Sequence, residues 1–133
     1  MSANLLQAAV YQRLAGDAAI SALAGAGKVF DGRPLRKTLP YVHLGIWQVE
    51  PLSGDDGTFE HRFDIEAWSE QGGQREVAAL AEAVRAALHD QPLTLDGATL
   101  VNLRHWRSRA GRQAQSRFYR AVVTFRAVVE TAA

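Results

Sequence analysis

The sequence predicts an α+β fold, a largely antiparallel β-sheet with helices packed on one face, as a single domain over residues 1–133. Three observations carry that expectation. Helical periodicity at the start gives way to two-residue alternation, returns once, and yields to alternation again until the end. Clusters of turn formers separate consecutive alternating runs, which suits antiparallel hairpins. A chain of 133 residues, 47% of them hydrophobic, can bury roughly two-thirds of its unfolded surface around one core, and no repeat or low-complexity tract divides it.

Ser2 is placed to cap a helix whose apolar positions Leu6, Val10 and Leu14 recur every four residues, with Leu5 and Ala9 widening the stripe. Gly16 should end it, and Asp17 should cap a shorter helix from Ala18 to Leu23, closed near Gly25–Gly27. After a connection containing "VFDGRP", Tyr41 to Val49 reads as a strand with Val42, Leu44 and Ile46 on one side and Tyr41, His43 and Trp47 on the other. "PLSGDDG", residues 51–57, is the loop of a hairpin. The return strand, Thr58 to Trp68, turns Phe59, His61, Phe63, Ile65 and Ala67 to the core and Glu60, Arg62, Asp64 and Glu66 to water or a partner.

"SEQGGQREVAALAEAVRAALHD" carries the strongest helical period, with Val77, Leu80, Ala81, Val84 and Leu88 inward and Arg75, Glu82 and Arg85 outward. "PLTLDGATLV" offers an Asp96–Gly97 turn between short strands. A last hairpin is expected to run out from Leu100 to Arg109, turn at Ala110–Gln115, and return from Ser116 to Glu130. On its return, Tyr119, Ala121, Val123, Phe125, Ala127 and Val129 share an apolar face opposite Arg120, Thr124, Arg126 and Glu130.

The absence of cysteine excludes disulfides and thiolate metal sites and suits the cytoplasm. No run approaches the ~18–20 apolar residues of a membrane span, and "MSANLLQAAVYQRLAGDAA" lacks a basic signal-peptide start. The expectation is a soluble chain, neither exported nor anchored.

His43, His61, His89 and His105 fall in no metal-binding or catalytic spacing, and His61 stands on a core face. The Asp55–Asp56 and Asp64–Glu66 pairs suit a solvated or interface surface better than acid/base or metal chemistry. No glycine pattern would cradle phosphate and no nucleophile stands beside a base. The sequence gives an enzyme, a cofactor or a metal no support.

Charge is distributed unevenly. The net charge is +1, yet Glu50, Asp55, Asp56, Glu60, Asp64 and Glu66 face only Arg62 within residues 50–66. Arg104, Arg107, Arg109, Arg112, Arg117, Arg120 and Arg126 then follow with no acid among them. With Trp106, Phe118 and Tyr119 interleaved, residues 104–120 have the charge of a DNA-binding arm. A second reading pairs them with the acidic hairpin of another copy, a head-to-tail contact that closes into a ring when the rotation permits.

In order, "LLQAAVYQRLAGDAAISALAG", "KVFDGRP", "LPYVHLG", "EHRFDIEAWSEQGGQREVAALAEAVRAAL", "LTLDGATLVNLRHWRS" and "YRAVVTFRAVVE" resemble the tail terminator, or tail-completion, proteins of long-tailed phages, prophages and gene transfer agents. The likeness covers nearly the whole chain and includes a "W-S-x-x-G-G" junction at Trp68, Ser69, Gly72 and Gly73. It implies a structural virion protein forming a ring, typically a hexamer, on the head-proximal end of the tail tube. That ring would stop polymerisation, join the head connector and let DNA through. The resemblance brings no catalytic residues. It favours the arginines as an assembly surface, with DNA contact second, and leaves open whether Arg109 and Arg112 meet the tube, a neighbour or DNA. Asp55 and Asp56 would suit the lumen, where acidic loops help DNA slide. Reversing Arg120 or Glu66 is expected to disrupt assembly, and the double reversal to restore it in part.

Overall fold

Ser2–Ala15 forms helix α1 in the computed structural model, which describes residues 2–52, 57–71 and 73–131. Leu6, Val10 and Leu14, one turn apart, are all at 0% exposure, so the four-residue stripe is the buried face. The helix begins at Ser2. Gly16 closes it through its N–H to the Gln12 carbonyl at 3.0 Å. Asp17 then caps α2, Ala18–Ala24, its carboxylate accepting the Ile20 N–H at 3.0 Å. Gly25, at φ +101°, ends α2.

The sheet has five strands in the order β1-β2-β3-β5-β4. They are β1 Val29–Phe30, β2 Tyr41–Pro51, β3 Thr58–Ser69, β4 Ala98–Arg112 and β5 Tyr119–Thr131. The β1–β2 pair is parallel; β2–β3 and β4–β5 are antiparallel hairpins, and β3–β5, joined through α3 and β4, is antiparallel as well. Helix α3, Gly73–Leu88, lies against β3, β4 and β5 and buries Val77, Leu80, Ala81, Val84 and Leu88 as its period foretells. Arg13 of α1 ties the two helices together, donating from Nε to the Ala87 carbonyl at 3.1 Å and from Nη2 to Gln91 at 2.8 Å. All three helices cover one face, and the core lies between them and the sheet.

The structure departs from the expected pattern where strands are irregular. The β2–β3 register shifts between Leu44 and Trp47, and an inserted residue reverses the alternation beyond it. Ile46, expected inward with Val42 and Leu44, is 67% exposed. Trp47, expected opposite, stacks on Phe63 with ring centroids 4.0 Å apart. Glycine suits the bulge: a Cβ on Gly45 would lie 3.1 Å from a Glu66 carboxylate oxygen and 3.2 Å from the Asp64 carbonyl.

The final hairpin is also displaced from its expected limits. Its outgoing strand extends from Ala98 to Arg112, and the return starts at Tyr119. The turn is closed by the Gln113 N–H to the Phe118 carbonyl at 2.8 Å. Among the described residues no strand leads directly into the Asp96–Gly97 turn between the end of α3 and Ala98; the Leu95–Ala98 contact is a lone bridge. Val29–Phe30, which the sequence places in a connection, is a short strand because Val29 and Phe30 pair with Val42 and His43.

Candidate functional site: the outer face of the sheet

The face turned away from the helices carries the charge. Alternation sends Glu60, Arg62, Asp64 and Glu66 of β3 outward, and Arg120, Val122, Thr124 and Arg126 of β5 beside them. Glu60 and Glu66 stand directly opposite valines, Val128 and Val122, so each reaches diagonally for a cation. Glu60 accepts from Arg126 Nε at 2.7 Å and also meets Arg62 at 3.5 Å. Glu66 lies 3.6 Å from Arg120 and 3.7 Å from His43 Nε2. Asp64 accepts the Thr124 hydroxyl at 2.7 Å. The two glutamate side chains are 15% exposed, lying lower than the longer guanidiniums. Three of the acids expected at an interface thus find partners in their own subunit.

The other arginines are placed differently. Arg117 pairs with Glu70, and Arg104 lies 3.6 Å from Asp90. Arg109 faces outward opposite Val122, whereas Arg112, opposite Tyr119, is on the helix side of the sheet. Among the described residues Arg107, Arg109 and Arg112 form no ion pair. Asp55 and Asp56 lie outside the described residues.

Residues the alternation did not single out complete the surface. The β4–β5 register shifts between Leu100 and Asn102 and between His105 and Arg107. The extra residues, Val101 and Trp106, are 53% and 50% exposed. Arg62 and Arg107 lie over the Trp106 ring, 4.5 and 5.1 Å from its centroid. At the other end of β3, Trp68 is buried beneath Arg33, whose guanidinium is 3.8 Å from its ring. The same Trp68 donates to His43 Nε2 at 3.0 Å. That ring's Nδ1 donates to the Leu44 carbonyl at 2.9 Å, which leaves Nε2 as the acceptor. Ser69 donates to Glu76 of α3, and Gly73 opens that helix at φ +60° with the Tyr119 ring beside it. Trp68, Ser69 and Gly73 of the Trp-Ser-x-x-Gly-Gly junction thus stand where sheet gives way to helix, while Gly72 lies outside the described residues.

His89 and His105 are neighbours, the His105 N–H donating to His89 Nδ1 at 3.0 Å, but the other histidines stand apart from them. His43 on β2 and His105 on β4 are separated by β3 and β5, and His105 Nε2 meets the Ser108 hydroxyl at 2.8 Å. The pKa of His105 is lowered chiefly by partial burial, with Arg85 and His89 nearby. Among the described residues no cluster of three or more His, Asp or Glu could hold a metal, and no helix is long and apolar enough to cross a membrane.

His61, at 0% exposure, accepts the Trp47 indole N–H at 3.0 Å, and burial lowers its pKa below 6.5. In the unfolded chain it titrates near ~6.5. Below that pH the unfolded state takes up the proton first, so stability should fall as pH drops toward the lowered folded value; above it the contribution is constant. Urea unfolding between about pH 5 and 8 checks this. His61→Gln, which lacks the titration, should show a shallower decline than the unmodified chain.

The chain matches the family model "Tail completion protein gp17" over residues 8–130. It is 37% identical to a chain of the "Virion of native gene transfer agent (GTA) particle", over 96% of both chains, with a TM-score of 0.86. A second solved structure, 14% identical over 100% of this chain and 97% of its own, has a TM-score of 0.61 and shares the fold. No curated protein matches. With a match that spans residues 8–130, the chain belongs to the tail completion protein gp17 family, a family of structural tail proteins.

Proposed function

We propose that the chain is a tail terminator whose copies close into a hexameric ring on the head-proximal end of a tail tube. The ring stops tube polymerisation and offers a surface to the head–tail connector (stopper) protein. The observation that carries this reading is the 37% identity, across 96% of both chains, to a chain of a gene transfer agent virion. The partners are then further copies, the tail tube protein and the connector, with DNA passing through the lumen without sequence-specific contact. No cofactor or membrane enters. Assembly takes place in the bacterial cytoplasm and leaves the protein at the head–tail junction of the particle.

The distribution of charge favours a head-to-tail contact. Exposed Glu50, Asp96 and Glu130 gather where β2 and β5 end and β4 begins. Arg109 and Arg112 stand at the opposite end of the same sheet. Opposite charges on opposite ends of one subunit bring unlike surfaces together in successive copies, the arrangement from which rings close. The Asp55–Asp56 loop is assigned to the lumen on the same reading.

Purified protein added to tail tubes should appear as rings at one end in electron micrographs, and tube lengths should stop increasing. Arg109→Glu combined with Arg112→Glu should reduce end occupancy by about tenfold, the scale of losing a central interface contact, while the monomer still unfolds cooperatively. A chain that ignores tubes but binds DNA, with affinity falling by about 0.9 log units per log unit of salt for each phosphate contacted, would transfer the function to DNA binding.

A further inference from the structure

The strand register sets three guanidiniums in one row: Arg62 of β3 pairs with Arg126 of β5, and Arg126 with Arg104 of β4. Like charges in directly opposed positions destabilise a sheet. One carboxylate, Glu60, serves both Arg62 and Arg126, and among the described residues Arg104 has only the exposed Asp90 at 3.6 Å. The row borders an open cavity of about 440 Å³ whose wall includes Trp106 and Val128. Positive side chains along an edge strand have an ordinary use, since they discourage pairing with a stray strand. That accounts for Arg104 on β4 but not for Arg62 and Arg126, which lie on interior strands.

We infer that this cavity is a docking site for an acidic segment of a partner protein, with carboxylates on the arginine row and an apolar side chain against Trp106. Glu60 already shows which ligand these guanidiniums accept: planar forks suit carboxylates. Tryptophan and arginine are also the residues most enriched at the energetic centres of protein interfaces. Nucleic acid fits less well. Glu60, Asp64 and Glu66 are interleaved on the same face, so a phosphate backbone crossing it would meet carboxylates between its cations. The inference does not rest on ring formation and concerns the isolated subunit, so failure of either reading leaves the other standing.

The test titrates the full chain with a fluorescein-labelled glutamate-rich peptide containing leucine, at physiological ionic strength, reading anisotropy. The same peptide with glutamine for glutamate and a short oligodeoxythymidine serve as comparison probes. The glutamate peptide should bind and the comparison probes should not. Trp106→Ala and Arg104→Gln should each weaken binding by about tenfold, while Arg75→Gln on the outer side of α3 should not. In an NMR titration the Trp106 indole N–H should shift more than those of Trp47 and Trp68, which are engaged with histidines. Both site variants alter exposed side chains, and a cooperative thermal transition confirms their folding.

No peptide binding, or binding indifferent to both site variants, would overturn the inference. Tighter binding of oligodeoxythymidine through the same residues would give the site to nucleic acid instead. Self-association abolished by Trp106→Ala would give it to a second copy.

Discussion

Phe63→Ala should lower the unfolding free energy by about 3–5 kcal/mol, a large share of the ~5–15 kcal/mol that stabilises a typical domain. Phe63 is 1% exposed at the middle of β3. Its ring is stacked between Trp47, at 4.0 Å, and Phe125, at 5.5 Å, and Phe125 in turn meets His105 edge-on at 5.8 Å. Removing the ring opens a cavity that neither rigid strand can close, and it frees Trp47, whose indole is fixed to buried His61. Phe63→Leu keeps most of the volume and should cost less. Urea denaturation of both variants at neutral pH measures the difference; a loss below about 1 kcal/mol for the alanine variant would mean that this aromatic stack is not the centre of the core.

Glu66→Arg should destabilise the subunit by about 2–3 kcal/mol, less than a fully buried broken pair because this one is partly exposed. Two effects act together. The new guanidinium would stand beside Arg120 in place of the carboxylate now 3.6 Å away. It would also enlarge a side chain that already closes over the Gly45 backbone, where a mere Cβ would lie 3.1 Å from the carboxylate. Adding Arg120→Glu should restore part of the loss in the monomer. A pair read from charge alone as a contact between copies is here a cross-strand pair in one chain, so its reversal is read in unfolding before assembly. If both single reversals left stability unchanged and only the double one rescued assembly, the pair would act between subunits instead.

Local period made much of this protein legible from its sequence. Leu6, Val10 and Leu14 on α1, the apolar stripe of α3 and the inward residues of β3 and β5 lie where their spacing places them. A helix face or a sheet face is decided by neighbours a few residues away, and the Asp17 cap follows from three. The segment order pointed to the tail-completion family for the same reason, since every junction carries its own turn chemistry. What the alternation could not contain were the bulges. At Ile46, Val101 and Trp106 the register slips because two strands must fit each other, and each slip turns an apolar side chain to water. Strand order likewise decided the partner of every charge. Placing β5 between β3 and β4 sets Arg126 on Glu60 and Arg120 near Glu66, and aligns Arg62, Arg126 and Arg104. A sequence counts charges, but which ones neutralise each other depends on contacts between residues some sixty positions apart, and only the folded sheet brings these together.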